Sequence, residues 1–308
     1  MSELGRRTLL KTASVAAGGL MLTGNVALAA PAAASSARRG SGTLSVRWIG
    51  GGVVEVATPD NKQVAFIDAW VWNNAAYTVQ KVERPVEFSS ADAFADYVRG
   101  KSPDAVLVLL THDHGDHMGD YFDVLKALAG AGLNVKTTGQ SDLMRGGLAQ
   151  KFRDAGLDPT QIVANGGAGQ NFGGYAQHGA MQAWLVPAVH SNLLGFPAAG
   201  YVLEIGGVRI YASGDTDLYG DMRLLADRYH PDVAMVCVGG GPYTMGPHDA
   251  AVACQLAGVS QAMPIHYAHN AAVLGVEAGA QFQQAVAAVA PAVGVQVFQL
   301  GEARSLTV

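Results

Sequence analysis

Residues 112–117 read His-Asp-His-Gly-Asp-His, directly after the apolar run Ala105 to Leu110 and Thr111. Three imidazoles and two carboxylates in six residues make a poor core, because such groups are costly to bury unpaired. Around a metal they are useful. If the strand runs on through Thr111, residues 112 and 114 project to the same side and offer two imidazoles to one ion. Asp116 and His117 then fall where the chain turns into the next helix, within reach of a second ion. The plainer reading is a solvated polar loop, and other parts of the chain argue against it. The run Ala183 to Val189 ends in His190, Val208 to Ala212 leads through Ser213-Gly214 to Asp215, and the run from Gln261 ends in His266. Each group sits at the exit of an apolar strand, and the carboxyl edge of an open α/β sheet is where strand ends converge on a ligand. Five histidines and two aspartates suit two neighbouring divalent ions with an open position.

Short apolar runs bounded by Gly, Asp, Asn or Pro predict strands over 44–49, 53–57, 64–68, 105–110, 183–189, 201–205, 208–212, 233–238, 261–266 and 296–300. Helical periodicity is clearest over 91–98, 119–129, 142–155, 247–257 and 277–290, with Pro247 suited to a first helical turn. The early strands come as hairpins and the later ones alternate with helices. That order predicts a mixed α/β chain with more than one sheet, a single domain of two similar halves. The stretch Trp70 to Arg99 holds Trp70, Trp72, Tyr77, Phe88 and Phe94 without a strand pattern, and reads either as a lid over a site or as a packed surface excursion.

The first forty residues read as an address. Arg6 and Arg7 precede Thr-Leu-Leu-Lys, and no charged residue occurs from Thr12 to Ala37. Ala, Gly, Ser and Thr dominate the run, which ends in Ala27-Leu28-Ala29-Ala30-Pro31, so a cleaved signal of the twin-arginine type over 1–30 is expected rather than a membrane anchor. A flexible segment over 31–42 follows, and the twin-arginine translocase and a periplasmic or secreted destination are implied. Cleavage removes Arg6, Arg7, Lys11 and Glu3, so 20 basic and 25 acidic residues become 17 and 24, a net of −7. Without a basic block, an acidic chain has no sequence-independent grip on nucleic acid. The two cysteines, Cys237 and Cys254, lie in apolar surroundings and read as buried free thiols rather than a disulfide framework.

The pattern His112-x-His114-x-Asp116-His117, with His190, Asp215 and His266 downstream, resembles the metallo-β-lactamase superfamily along most of the mature chain. The segments Thr111 to Asp120, Ser213 to Met222, Gly239 to Ala251 and Met263 to Tyr267 resemble the branch containing ascorbate-6-phosphate lactonase and many uncharacterised metal-dependent hydrolases. The resemblance implies an αββα sandwich, two mixed β-sheets flanked by helices, over a single domain 43–308 with the metals at one edge. It makes His112, His114 and His190 the ligands of one ion and Asp116, His117 and His266 those of the other, with Asp215 bridging. Asp68 matches the aspartate that orients the metal-binding loop; a carboxylate behind a ligand histidine fixes its tautomer. Asp68 otherwise caps a turn.

The expected chemistry is hydrolysis of an ester, lactone or phosphodiester by a hydroxide carried between two divalent ions, with Asp116 or Asp215 orienting it. Zinc suits the imidazoles, and manganese or iron also suits the carboxylates. The alternative is an iron-dependent oxidoreductase of the same fold. Three features depart from the family pattern. Asp113 is expected to add negative potential near the mouth. His248, in a first helical turn, and His269, close after His266, each read either as a contact for a small-molecule substrate or as a surface residue. The Trp70 to Arg99 stretch is long, which makes the wall of the pocket particular to this chain.

Overall fold

A computed structural model describes residues 41–308, so the expected export signal over 1–30 and nearly all of the segment 31–42 lie outside the described residues. The strands are β1 (Thr43–Gly50), β2 (Val53–Ala57), β3 (Gln63–Ile67), β4 (Ala105–Leu109), β5 (Val135–Thr138), β6 (Tyr175–His178), β7 (Met181–Pro187), β8 (Ala199–Ile205), β9 (Val208–Ala212), β10 (Val233–Cys237), β11 (Gln261–Ile265), β12 (Gly294–Val295) and β13 (Ala303–Thr307). The helices are α1 (Ala76–Gln80), α2 (Ala91–Gly100), α3 (Gly115–Met118), α4 (Tyr121–Gly130), α5 (Ala149–Asp154), α6 (Pro159–Ile162), α7 (Arg223–Tyr229), α8 (Pro247–Ala257) and α9 (Ala278–Val289).

Two mixed sheets result, in the orders β13-β1-β2-β3-β4-β5 and β12-β11-β10-β9-β8-β7-β6. Each begins with antiparallel pairs and ends with parallel ones: β1 to β3 and β6 to β9 pair antiparallel, while β3-β4-β5 and β9-β10-β11-β12 run parallel. Strands in parallel sheets are covered on both faces and read as unbroken apolar runs. β4 (Ala-Val-Leu-Val-Leu) and β10 (Val-Ala-Met-Val-Cys) are buried at every position, which is why both were legible. The consequence for chemistry is that β3, β4, β9 and β11 end in Asp68, Thr111 to His117, Asp215 and His266. Among the described residues no helix is long and apolar enough to cross a membrane.

Two expectations about elements are corrected, and one left open is described. Residues 296–300 form no strand: the Gln296 amide makes a last ladder bond to Ala262, then Gly301, at φ +78°, turns the chain to the Trp48 carbonyl. The last strand is β13, which leaves the second sheet and pairs with β1 in the first. The helix over 142–155 is broken into a π-helical turn over Leu143–Gly147 and the short α5. The Phe196 ring lies against the break, where a Cβ on Gly147 would approach it to 2.8 Å. The stretch Trp70 to Arg99 is a packed layer: Phe88 and Phe94 are buried, Phe94 lies 5.1 Å from Phe66, and α2 packs along α4. Its start is anchored by the Asp120 carboxylate, which accepts from the amides of Val71 at 2.6 Å and Asn73 at 3.1 Å.

Candidate metal centre

β4 stops at Leu109, so His112 and His114 stand on an extended loop rather than on the strand. They still share a side, with ring centroids 4.6 Å apart. What holds the loop is Asp68, which is buried and adopts φ +59° just past β3. Its carboxylate accepts from the Thr111 amide at 2.8 Å and the Thr111 hydroxyl at 2.9 Å, and lies 2.7 Å from Nδ1 of His117. Thr111, a residue outside the expected site, thereby ties the loop to β3.

The seven side chains singled out in the sequence come together in three overlapping groups: His112, His114 and His190; His112, His117 and Asp215; Asp116, His117 and His266. In the first, Nδ1 of His114 lies 3.0 Å from Nε2 of His112 and 3.2 Å from Nε2 of His190. In the last, Nε2 of His266 is 3.3 Å from Asp116 Oδ2. Asp215 faces both ends, at 3.6 Å from His190 Nε2, 3.1 Å from His266 Nε2 and 3.4 Å from His117 Nε2. Metal bonds of about 2.0–2.1 Å in a tetrahedron set ligand atoms roughly 3.3 Å apart, so these spacings fit ions. A second observation agrees. His117 Nε2 and Asp215 Oδ1 are buried and make no hydrogen bond, whereas buried polar atoms ordinarily have partners.

Burial and the neighbouring imidazoles of His117, His114 and His190 hold His112 well below the usual histidine range. Burial likewise depresses His190. Burial also lowers His117, but Asp215 and Asp68 on its two sides outweigh it and raise the ring well above that range. Burial opposes charge on Asp116 and Asp215, yet His266 and His269 at the first, and His266 and His117 at the second, hold both carboxyls below the ordinary range. Proton and cation compete for such a site, so a bound ion takes the place of the imidazole protons.

Of the two other histidines, His269 belongs to the centre and His248 does not. His269 is buried with Nε2 3.3 Å from Asp116 Oδ2, and its ring meets Trp70 edge-on at 6.2 Å. The His248 side chain is 74% exposed in the first turn of α8, beside Asp249, and lines neither cavity at the centre. Asp113 also differs from expectation. It is buried, and its carboxylate accepts from the amides of Leu193 at 2.8 Å and Leu194 at 2.6 Å. Its oxygens pin the loop after His190, and it lines neither cavity at the centre.

Sequence reasoning missed the glycine hairpin Gly50-Gly51-Gly52 between β1 and β2. The Gly51 carbonyl accepts from the His266 amide at 2.8 Å. A Cβ on Gly52 would meet Cε1 of His117 at 2.7 Å. Three consecutive glycines in the first hairpin were the available signal. The centre opens on a cavity of about 510 Å³, walled by Trp70, Asp116, Tyr243, His266 and His269. A second, of about 550 Å³, shares His190, Ser191 and Tyr243 with it and continues past Val189 and Asp217.

Residues 89–267, more than half of the chain, match the family described as beta-lactamase superfamily domain. A metal-dependent hydrolase of Cupriavidus necator is 32% identical over 298 residues, covering 90% of this chain and 93% of that protein. Another, from Methanoregula boonei, is 36% identical over 178 residues, 55% and 69% of the two chains. Among solved structures, Igni18, a metallo hydrolase from the archaeon Ignicoccus hospitalis, superposes with a TM-score of 0.65 at 26% identity over 86% of this chain and 98% of its own. CmlA, a diiron β-hydroxylase from Streptomyces venezuelae, reaches 0.60 at 13% identity over 88% and 55%, a likeness of fold alone.

Proposed function

The chain belongs to the beta-lactamase superfamily and is one of its metal-dependent hydrolases, and on that premise we propose that it cleaves an ester, lactone or phosphodiester with water at a dinuclear centre. The observation that carries this is Asp215. Oδ2 of this one buried carboxylate is near both His190 and His266 while its Oδ1 is near His117, which supports a reading in which it would serve both ions. His112, His114 and His190 would hold one ion, and Asp116, His117 and His266 the other. A divalent pair supplies an acidified water and stabilisation of the oxygen on which charge develops. Zinc suits five imidazoles, and two carboxylates also suit manganese or iron.

The chain's own groups do the rest. Asp116 is the more open carboxylate, 28% exposed and on the cavity wall, where it orients the attacking water and collects its proton. Asp68 takes the Nδ1 proton of His117 as a hydrogen bond and leaves Nε2 free to ligate. His112 and His190, held neutral by burial, offer lone pairs without first losing protons.

Elemental mass spectrometry on protein purified without added metal tests the reading, with about two equivalents expected. Asp215→Ala should lose metal and the hydrolysis of p-nitrophenyl esters or bis(p-nitrophenyl) phosphate together. One equivalent in the parent protein, or an unimpaired Asp215→Ala enzyme, overturns it. Export through the twin-arginine route is part of the proposal; Arg6→Lys with Arg7→Lys should retain the uncleaved precursor in the cytoplasm.

A further inference from the structure

Resting on that hydrolase reading, we propose that the substrate is an uncharged ester or lactone with an apolar arm, and that the groove beside the metal centre selects against anions. Three observations converge on it. First, none of the residues lining the two cavities is Lys or Arg, and the one carboxylate among them outside the metal-ligand set, Asp217, is negative. Recognition of phosphate or carboxylate ordinarily recruits Arg or Lys; beyond the ions themselves this groove offers an anion nothing. Second, the walls carry apolar groups from three separate segments: Trp70 after β3 in the first cavity, Val189 after β7 and Pro242 after β10 in the second, and Tyr243 after β10 in both. Val189 and Tyr243 are each 52% exposed. Large apolar groups left open beside a reactive centre mark where ligand surface is covered. Third, Asp217 is exposed and lines the second cavity, which Asp116 and Asp215 do not, so it adds a carboxylate to the groove away from those two.

The loop past Ser191 runs on beyond the residues that line the two cavities. Leu193 is 72% exposed and Leu194 42%, and both backbone amides are fixed by Asp113, which stands between His112 and His114. The loop after His190 is thereby tied to the metal-binding motif. In the reaction, water oxygen bonds to the carbonyl carbon, the bond from that carbon to the alkoxy oxygen breaks, and the alkoxy oxygen leaves with a proton. An ester gives acid and alcohol, a lactone a single hydroxy acid, and no co-reactant beyond water is needed.

The test uses the metal-loaded full chain against p-nitrophenyl acetate, butyrate and hexanoate, the mono-p-nitrophenyl ester of adipic acid, and bis(p-nitrophenyl) phosphate. From acetate to hexanoate kcat/KM should rise by about tenfold or more, as methylenes leave water. The adipate ester matches the hexanoate in length but ends in a carboxylate, and should fall about tenfold below it. The phosphodiester should be slower still. Asp217→Asn, which keeps an acceptor for the Leu218 amide, should raise the adipate-to-hexanoate ratio severalfold. Val189→Ser, at an exposed position of the wall, should flatten the chain-length series. A phosphodiester preferred over every ester, or an Asp217→Asn ratio that does not move, overturns this inference and leaves the hydrolase reading standing. Turnover of none of the series by protein carrying two metal equivalents overturns both.

Discussion

Oδ2 of Asp68 lies 2.7 Å from Nδ1 of His117, and the same carboxylate takes the amide hydrogen of Thr111. One buried group past the end of β3 thus sets both the start and the end of the loop that carries His112, His114 and Asp116. Asn at this position tolerates φ +59° and keeps an acceptor for Thr111, but it cannot hold the Nδ1 proton as a carboxylate does. Asp68→Asn should therefore fold, by circular dichroism, and bind zinc about 10–100-fold more weakly in chelator competition. Unchanged affinity would reduce Asp68 to a turn cap.

The Asp113 carboxylate links two loops distant in sequence. Hydrogen bonds to a charged group contribute about 1.5–3 kcal/mol each in such settings, and Asp113 makes two. Asp113→Ala should lower the thermal midpoint of metal-free protein by several degrees. It should also loosen the segment that carries His190, lowering metal stoichiometry toward one. Asp113→Asn, with one acceptor oxygen, should fall between. A midpoint equal to that of the parent protein would show that the loop is held elsewhere.

What was legible in the sequence follows from burial. Strands covered on both faces, such as β4 and β10, leave apolar runs that period and length reveal. The ends of apolar runs, together with the motif over 112–117, located all seven clustered side chains. β5, β6 and β13 escaped notice because they are short, half-polar strands at the sheet margins, and β13 (Ala-Arg-Ser-Leu-Thr) buries only Leu306. The run over 296–300 misled for the converse reason: Phe298 and Leu300 are buried and alternate with polar residues, yet no neighbouring strand pairs with them. Asp113 misled because a charge in a motif says nothing of its direction. That depends on the amides of Leu193 and Leu194, some eighty residues on.

Cys237 and Cys254 are buried, and burial pushes both thiols up to about 12. A thiolate is the reactive form. Native protein at pH 8 should therefore give no fast reaction with a thiol reagent, and two equivalents should appear after unfolding. The sign of the linkage is fixed as well. A thiol whose folded value lies above its unfolded value stabilises the fold below the unfolded value, near 8.5, and that contribution fades as pH rises toward the folded one. The fold should lose stability between about pH 9 and 12. Fast labelling of either cysteine in the native state would contradict their placement.

Gly52 gives the sharpest separation of site from scaffold. Its backbone lies outside the left-handed region, unlike Gly51 at φ +56°, so alanine meets no strain from the main chain. The obstacle is the His117 ring, whose Cε1 a Cβ would approach to 2.7 Å and whose Nδ1 it would approach to 3.0 Å. The ring is boxed in by Asp68 on one side and Asp215 on the other, so it must shift relative to both. Misplacement by about 1 Å costs on the order of 10²-fold in rate, so Gly52→Ala should lose roughly that much turnover while its circular dichroism stays native. Gly130→Ala, where a Cβ would meet nothing within 4 Å, should leave turnover within about twofold. Equal activity of the two variants would place His117 outside the chemistry.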